Sequence, residues 1–381
     1  MFGLKQGYLT PNPREEAYTF VGPKRKWAED FISHVRRVIT SGRPPKAVVF
    51  GAMGIGKTHF TTLVSHELAD VARVVYVETP PMHRRSKFND LHKAIMKKIG
   101  REYSVGLLEL ALKQANKQST PLHEALGIDA DLATVVRNGL SSDKSVLWRY
   151  LSGEKLSSGE LRQIDAVSPQ MSEDDAVSVI NMIAKLVRTL EKKQFIVIID
   201  EFENTTFLMG DSMAAFREGI RGLVDESNQA GIIISNSARE TEEMPLPITD
   251  ESVQRRIGFA NYRLFPEYNQ EELVQLIYEL IDVRREKGID IKKLVGKDRE
   301  SRKEAVSGRS YPFSEEAIKE AVDTVIELRQ LGRINSTRPK EALDVLDLGL
   351  SVATQESAAV VVSEHIRTAK QRYPLTPRPR E

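Results

Sequence analysis

The feature that most constrains this chain is an eight-residue motif directly after a short apolar run at residues 47–50. The motif fits the pattern G-x-x-x-x-G-K-[ST] and consists of Gly51, Ala52, Met53, Gly54, Ile55, Gly56, Lys57 and Thr58. Residues 58–69 have helical spacing, so a strand, a glycine-rich turn and a helix follow one another as this motif requires. Backbone N–H groups in such a turn point at phosphate oxygens, and the start of the helix adds partial positive charge. The sequence therefore predicts a loop that binds nucleotide phosphates.

The last two residues of the motif indicate the ligand more closely. Lys57 is placed to reach the β- and γ-phosphates, and the Thr58 hydroxyl is suited to ligate Mg²⁺. We therefore expect ATP and Mg²⁺ as cofactors. The chain has no cysteine, which excludes disulfides, thiolate metal sites and cysteine nucleophiles.

Four apolar runs predict the strands of one sheet: 47–50, 71–77, 195–199 and 232–234. Helical patterns separate them, and the runs are continuously apolar instead of alternating, with Arg73 as the one charged residue. This combination is typical of a parallel sheet with helices on both faces, so we predict a three-layer α/β fold.

The rest of the chain divides around this core. We predict an N-terminal arm at 1–20, a nucleotide-binding domain at 21–268 with a helical insert at 102–170, a helical lid at 269–371 and a flexible tail at 372–381. Within the lid, we expect helices at 270–287, 314–331, 339–354 and 356–371. No apolar run reaches the roughly 18–20 residues of a membrane helix, and the N-terminus has no signal-peptide core. We therefore expect a cytoplasmic protein with no membrane partner.

Polar residues follow two of the predicted strands. Asp200 and Glu201 come directly after 195–199. Asp200 is suited to a water-mediated hold on Mg²⁺, and Glu201 to orienting and deprotonating an attacking water. Asn236 follows the run at 232–234 and could touch the γ-phosphate or that water, with Ser235 as the next candidate.

Further segments complete an ordered set of parts. They are Asp200-Glu201-Phe202, Arg255-Arg256-Ile257-Gly258, Leu264-Phe265-Pro266-Glu267-Tyr268-Asn269, Glu271-Glu272-Leu273 and Phe313-Ser314-Glu315-Glu316-Ala317. Together with the phosphate loop, this order resembles an AAA+ ATPase of the initiator or origin-recognition branch, over about residues 20–80 and 178–352. The resemblance implies an AAA+ core followed by an all-α lid. Initiators usually have a winged-helix domain after the lid, and residues 355–381 are too few for one.

The resemblance also implies roles for two pairs of basic residues. Arg255 or Arg256 would be the arginine finger that enters a neighbouring subunit's site, which implies a homo-oligomer. Arg338 or Lys340 would be the lid residue that faces the nucleotide. The sequence leaves both choices open.

Nucleic-acid binding would require a local basic patch. The chain has 55 Lys and Arg against 54 Asp and Glu, a net charge of +1, so it has no general basic surface. Arg84, Arg85 and Lys87 form a cluster after the run at 71–77, near the position where initiator rings hold DNA. We expect these three residues to contact DNA phosphates. Aromatic residues are scarce beside the cluster, so the sequence does not predict base stacking.

These observations predict an AAA+ ATPase that binds and hydrolyses ATP–Mg²⁺ and oligomerises on DNA as an ATP-dependent assembly switch, in initiation, recruitment, transposition or defence. The alternative is a nucleotide-dependent protein-interaction switch without nucleic acid, whose protein client binds the insert at 102–170. A third reading is a sensor that binds ATP and barely hydrolyses it.

Overall fold

A computed structural model of the chain describes residues 2–225, 227–286, 288, 290, 291, 304–334 and 336–372. Its residues group into two compact units. The first contains Met1–Asp30, Gly51–Leu63 and Phe265–Glu381, and the second contains Phe31–Phe50 and Val64–Leu264. The domain bounds expected from the sequence stay a prediction, and residues 373–381 of the expected tail lie outside the described residues.

The second unit is built on a five-stranded sheet. Its strands are β1 (Lys46–Gly51, whose last residue belongs to the first unit), β2 (Ala72–Glu78), β3 (Gln194–Asp200), β4 (Gly231–Ser237) and β5 (Tyr262–Leu264). The strand order is β2-β3-β4-β1-β5, and the β1–β5, β2–β3 and β3–β4 pairs are parallel. Every residue of β3 is buried, which explains the uninterrupted apolar run at 195–199 within it. The predicted α/β fold with a parallel sheet is confirmed.

Helices make up most of the remaining described chain. They are α1 (Lys24–Thr40), α2 (Lys57–Glu67), α3 (Phe88–Ile99), α4 (Arg101–Gln118), α5 (Leu122–Leu126), α6 (Ala130–Ser141), α7 (Lys144–Leu151), α8 (Ser158–Ile164), α9 (Glu173–Leu186), α10 (Gly210–Leu223), α11 (Leu246–Thr249), α12 (Glu251–Ile257), α13 (Gln270–Arg284), α14 (Glu315–Gln330), α15 (Pro339–Gln355) and α16 (Ser363–Arg372). None of these described helices combines the length and the apolar character needed to cross a membrane.

The predicted insert consists of the five helices α4 to α8. Their buried side chains, among them Leu108, Val136 and Leu147, belong to the same hydrophobic cluster as the central strand β3. Helix α4 packs on α3 and α9, and α6 packs on α7 and α8. The insert is therefore an extension of the core of the second unit.

The first unit joins the N-terminal arm to the C-terminal helices. The carboxylate of Asp347 on α15 accepts hydrogen bonds from the backbone N–H groups of Leu9 and Thr10, at 2.6 and 3.0 Å. Glu16 and Arg284 form a bidentate pair at 2.7 and 2.6 Å, and the Arg284 side chain is 1% exposed. Burial favours protonated Glu16, but the bonds from Arg284 and Asn12 lower its pKa to about 2. A paired buried arginine of this kind fixes the arm on α13.

One predicted helix begins later than its apolar pattern indicates. We expected a helix at 356–371, but α16 begins at Ser363. Ser357 has a left-handed backbone (φ 59°) just after α15, which ends the helix there. Val361 then makes a parallel bridge with Phe313 and exchanges backbone hydrogen bonds with Pro312 and Ser314, both at 2.9 Å. The apolar run before α16 is thus buried as extended chain.

Candidate nucleotide-binding site

The loop that follows β1 has the backbone expected of a phosphate loop. Gly54 and Gly56 have φ of +79° and +104°, which side chains with a Cβ rarely adopt. Lys57 is the first residue of α2, and Thr58 follows it, half-buried. The side chain of Ile55 is fully buried. The predicted order of strand, glycine turn and helix is therefore present.

Lys57 is held at this loop by backbone oxygens. Its Nζ donates to the carbonyls of Gly51 and Ala52, both at 2.9 Å, and the residue is 7% exposed. A buried ammonium needs such partners, and its charge makes the loop attractive to an anion. Polyphosphate is an anionic ligand that fits this cation and the glycine backbone around it.

The structure separates the two lid candidates. A Cβ added to Gly54 would lie 2.8 Å from Cδ of Arg338, and the Ser336 hydroxyl donates to the carbonyl of Met53 at 3.3 Å. Arg338 therefore lies directly on the phosphate loop. Lys340 is 67% exposed and pairs with Asp344 at 3.1 Å.

Arg338 retains donor capacity at the loop. Its Nη1 donates to Glu341 at 3.3 Å, whereas its Nε and the Oε2 of Glu341 are buried without a hydrogen-bond partner among the described residues. Burial raises the pKa of Glu341. Because the pair is only partly satisfied, an anion at the loop would improve the bonding of Arg338.

Asp200 lies buried at the carboxyl end of β3, with 2% exposure. Its Oδ1 accepts from the backbone N–H of Glu201 at 3.0 Å, and its Oδ2 accepts from the Tyr76 hydroxyl at 2.7 Å. We did not single out Tyr76 from the sequence. Its only signal is its position near the end of β2, whose parallel register with β3 aligns Glu78 with Asp200.

Glu201 has an unusual backbone for its residue type. Its φ is 54° and its ψ is 40°, a left-handed conformation that costs a non-glycine residue about 1–3 kcal/mol. Glu203, two residues on, has a structural contact: its Oε2 accepts from the backbone N–H of Ser237 at 2.9 Å. The loop after β3 is thereby fixed to the end of β4, while Glu201 occupies a strained position typical of functional sites.

Asn236 and Ser235 lie near the end of β4, beside β3, and both are fully buried. Neither polar atom of the Asn236 side chain, nor the Ser235 hydroxyl, has a hydrogen-bond partner in the described part of the chain. A buried polar group left in this state costs about 1–3 kcal/mol. Asn236 can form more additional hydrogen bonds than Ser235, since its amide has two N–H donors and a carbonyl acceptor. A ligand that bonds to it would remove this penalty.

The two candidates for the arginine finger, both on α12, differ in their exposure and in their partners. Arg255 has a side chain that is 71% exposed and pairs with Glu251 one turn away. Arg256 is 25% exposed, bonds to Asp225 at 3.1 Å and donates to the carbonyl of Ser252 at 2.9 Å. Backbone and hydroxyl bonds from Ser227, followed by the bond from Arg256, lower the pKa of Asp225 to about 2. Arg256 therefore has a role within its own subunit.

The predicted DNA residues are all exposed in the segment between β2 and α3. Arg84 and Arg85 line one groove together with Met82, His83 and Phe207. Lys87 does not line this groove. Burial raises the pKa of Glu173, and the positive charge of Lys87 partly offsets this shift. The structure thus divides the three residues into a pair and a separate lysine.

Comparison with known proteins identifies the family. The model of the KAP family P-loop domain matches residues 29–236, more than half of the 381 residues. No curated protein matches the chain by sequence.

Solved structures of origin-recognition proteins have a similar fold. The Aeropyrum pernix ORC2 protein with ADPNP and ADP has a TM-score of 0.50 and 11% identity, over 95% of this chain and 72% of that one. Its ADP form has a TM-score of 0.50 and 11% identity, over 91% and 68%. Drosophila ORC bound to DNA has a TM-score of 0.49 and 12% identity, over 94% of this chain and 64% of that chain, less than two thirds of its length.

At such identities the likeness to the ORC2 structures establishes the fold alone, and it confirms the predicted AAA+ fold. The family match covers both the phosphate loop and the acidic end of β3. Since that match extends over more than half of the sequence, the chain belongs to the KAP family of P-loop NTPases.

Proposed function

We propose that this protein is an ATPase that binds ATP with Mg²⁺, hydrolyses it and uses it to assemble with further copies of itself, on DNA. The proposal rests chiefly on the two cations at the phosphate loop: Lys57 held by loop carbonyls, and Arg338 in contact with Gly54. ATP is the favoured nucleotide because the A. pernix ORC2 structures of the same fold hold ADP and ADPNP.

The proposed roles follow from the contacts of each residue. Lys57 and Arg338 bind phosphate oxygens, and Asn236 bonds to the terminal phosphate or the attacking water. Glu201 orients that water and accepts its proton. Strands β1, β3 and β4 belong to one sheet, and ligands of open α/β sheets bind at the carboxyl ends of strands.

Thr58 and Asp200 are the proposed residues for the metal. Among the described residues, no group of three or more His, Asp or Glu side chains is arranged to hold a metal ion. Mg²⁺ would therefore take most of its ligands from phosphate and water, which suits its preference for keeping water ligands. When bound, Mg²⁺ neutralises charge on the phosphates.

Assembly is tested by subunit mixing. We expect Arg255→Ala and Glu201→Gln to be inactive alone and to regain part of the ATP turnover when mixed, because each subunit then supplies what the other lacks. Turnover per subunit of the wild type should also rise with protein concentration. The measurement is steady-state phosphate release across a dilution series, with mass measured at each concentration.

Arg256→Ala is the matched control on the same helix. It removes the bond to Asp225, so we expect a lower melting temperature and no recovery specific to mixing with Glu201→Gln. Turnover that is flat across the dilution series, from a protein that remains monomeric with ATP, would contradict the assembly proposal while leaving ATP hydrolysis intact.

Arg338 gives a separate prediction about nucleotide affinity. Arg338→Ala should weaken ATP binding about 10- to 150-fold, since a hydrogen bond to a charged group is worth about 1.5–3 kcal/mol. Lys340→Ala, two residues away and exposed, should bind as wild type does. Titration with a fluorescent ATP analogue measures both. If only Lys340→Ala loses ATP affinity, Lys340 and not Arg338 is the lid residue that faces the nucleotide.

The protein-client alternative retains one structural support. The insert exposes Leu110, 52% accessible on α4, and Val167, 96% accessible after α8. If the protein binds no nucleic acid with or without ATP, yet hydrolyses ATP normally, the insert becomes the site to test for a client.

A further inference from the structure

An exposed aromatic ring lies beside the two unpaired arginines in the second unit. Met82, His83, Arg84, Arg85 and Phe207 line an open groove of about 460 Å³, which we call the arginine groove. Phe207 is 64% exposed, and Met209 two residues on is 55% exposed. Phe207 is more than 120 residues from the arginines in sequence, so no local pattern could reveal the juxtaposition.

The charge of the arginine groove is uncompensated within the described residues. There, neither guanidinium of Arg84 and Arg85 has a hydrogen bond or an ion pair with a protein group. Several other arginines of the described chain have an acidic partner, as Arg36 has Asp70 and Arg149 has Glu154. Two free guanidinium groups attract an anion that carries more than one charge along its length.

The two segments that form the groove are held in place. Asn204, in the 3₁₀ turn Phe202–Phe207, donates to the carbonyl of Thr79 at 3.1 Å. The backbone N–H and the hydroxyl of Thr79 in turn donate to the carbonyl of Asp200, at 2.8 and 2.9 Å. The exposed ring and the arginines are therefore presented by segments fixed to the end of β3. Such preorganisation lowers the entropic cost of binding.

We propose that the arginine groove binds single-stranded nucleic acid, with Arg84 and Arg85 on its phosphates and Phe207 stacked on an unpaired base. This deepens the proposed function and rests on its DNA component. A phosphate backbone complements the two arginines, and every base offers a face to an aromatic ring. Duplex DNA keeps those faces inside its stack, so the ring favours a single strand. A lone exposed apolar residue would not justify this inference; the ring and the free cations in one groove do.

The test compares substitutions of Phe207 that separate stacking from apolar contact. Fluorescence anisotropy with a labelled oligothymidylate should give about 5- to 150-fold weaker binding for Phe207→Ala, the range expected for loss of one stacked base. Phe207→Leu should be equally weak because it is apolar without a ring, and Phe207→Tyr should bind as wild type does. Leu110→Ala, which removes an exposed apolar side chain on α4, is the matched control and should have no effect.

The arginines are tested through salt dependence. Arg84→Ala combined with Arg85→Ala should reduce the slope of log affinity against log salt by about 1.4, since each single-strand phosphate contributes about 0.7. Lys117→Ala combined with Arg137→Ala, both exposed on the insert, should leave the slope unchanged. If the slope falls equally in the two double variants, the assignment of phosphate contacts to the arginine groove is wrong.

Three further outcomes would overturn the proposal. They are Phe207→Leu binding as tightly as wild type, a duplex of the same length binding as tightly as the single strand, and Phe207→Ala losing affinity for vesicles of anionic phospholipid while retaining it for oligothymidylate. If the wild type and all variants bind the oligonucleotide equally, this inference is contradicted and the proposed function is not. If the wild type binds no oligonucleotide while its ATP turnover is intact, the DNA component of the proposed function is contradicted as well.

Discussion

Lys57→Ala is expected to abolish detectable ATP binding. The Lys57 ammonium is a buried cation of the phosphate loop, held at 2.9 Å from two loop carbonyls. Contacts to two phosphates at about 1.5–3 kcal/mol each amount to a loss of at least about 10²-fold in affinity. Isothermal titration with ATP and Mg²⁺ measures it.

The same ammonium also bonds to the loop itself, so its removal could disturb the backbone. Lys57→Met keeps the methylene stem without the charge and should lose binding to the same extent. A thermal melt of each variant reports the integrity of the fold. Lys340→Ala controls for the loss of a positive charge on an exposed helix. Wild-type affinity in Lys57→Met, with an unchanged melt, would refute the assignment of the phosphate loop.

The fold was predictable because its signals are local. Strands β1, β3 and β4 each contain a continuous apolar run, and β1 to β4 begin and end within a few residues of the predicted bounds. The short edge strand β5 was not among the four predicted runs. Asp200 and Glu201 were predicted by the same means, since a buried strand that ends in carboxylates delivers them to the edge of the sheet. The residues before α16 form extended chain where the sequence predicts a helix, because apolar side chains at 358–362 suit a buried helix and buried extended chain equally well.

Contacts between distant segments had no such signal. Tyr76 bonds to Asp200 from a neighbouring strand, and Phe207 joins Arg84 and Arg85 across the fold. The charge pattern indicated the arginines, whereas Phe207 lies too far along the sequence to enter the prediction about base stacking. The register of β2 on β3 and the bonds around Thr79 bring these residues together.

Neighbouring basic residues also differ in ways that the sequence does not show. Arg338 and Lys340 are two positions apart, one before and one inside the first turn of α15, so their side chains leave the helix in different directions. Arg255 and Arg256 are adjacent on α12, and one faces solvent while the other pairs with Asp225. A sequence pattern can match at positions one or two residues apart, but on a helix such a shift changes the direction in which the side chain points.

Glu201→Gln is expected to stop hydrolysis while ATP binding persists. Losing an oriented general base lowers the rate by about 10²–10⁴. The amide has the shape of the carboxylate, so the left-handed backbone at this residue should be unchanged. Affinity should hold because the cations at the phosphate loop are intact. Single-turnover phosphate release, measured with saturating ATP and Mg²⁺, separates the chemical step from binding.

Glu203→Gln is the matched control, two residues further along the same loop. Its side chain accepts from the N–H of Ser237, and the glutamine oxygen can accept the same bond, so turnover should stay near that of the wild type. Glu203→Ala removes the acceptor, leaving a backbone donor unpaired, and should lower the melting temperature. If Glu203→Gln stops hydrolysis as completely as Glu201→Gln, the loop after β3 acts through its overall charge and no single base can be assigned. If only Glu201→Gln does so, the strained residue at the end of β3 is the catalytic base, and the strain is explained by the position that the reaction requires.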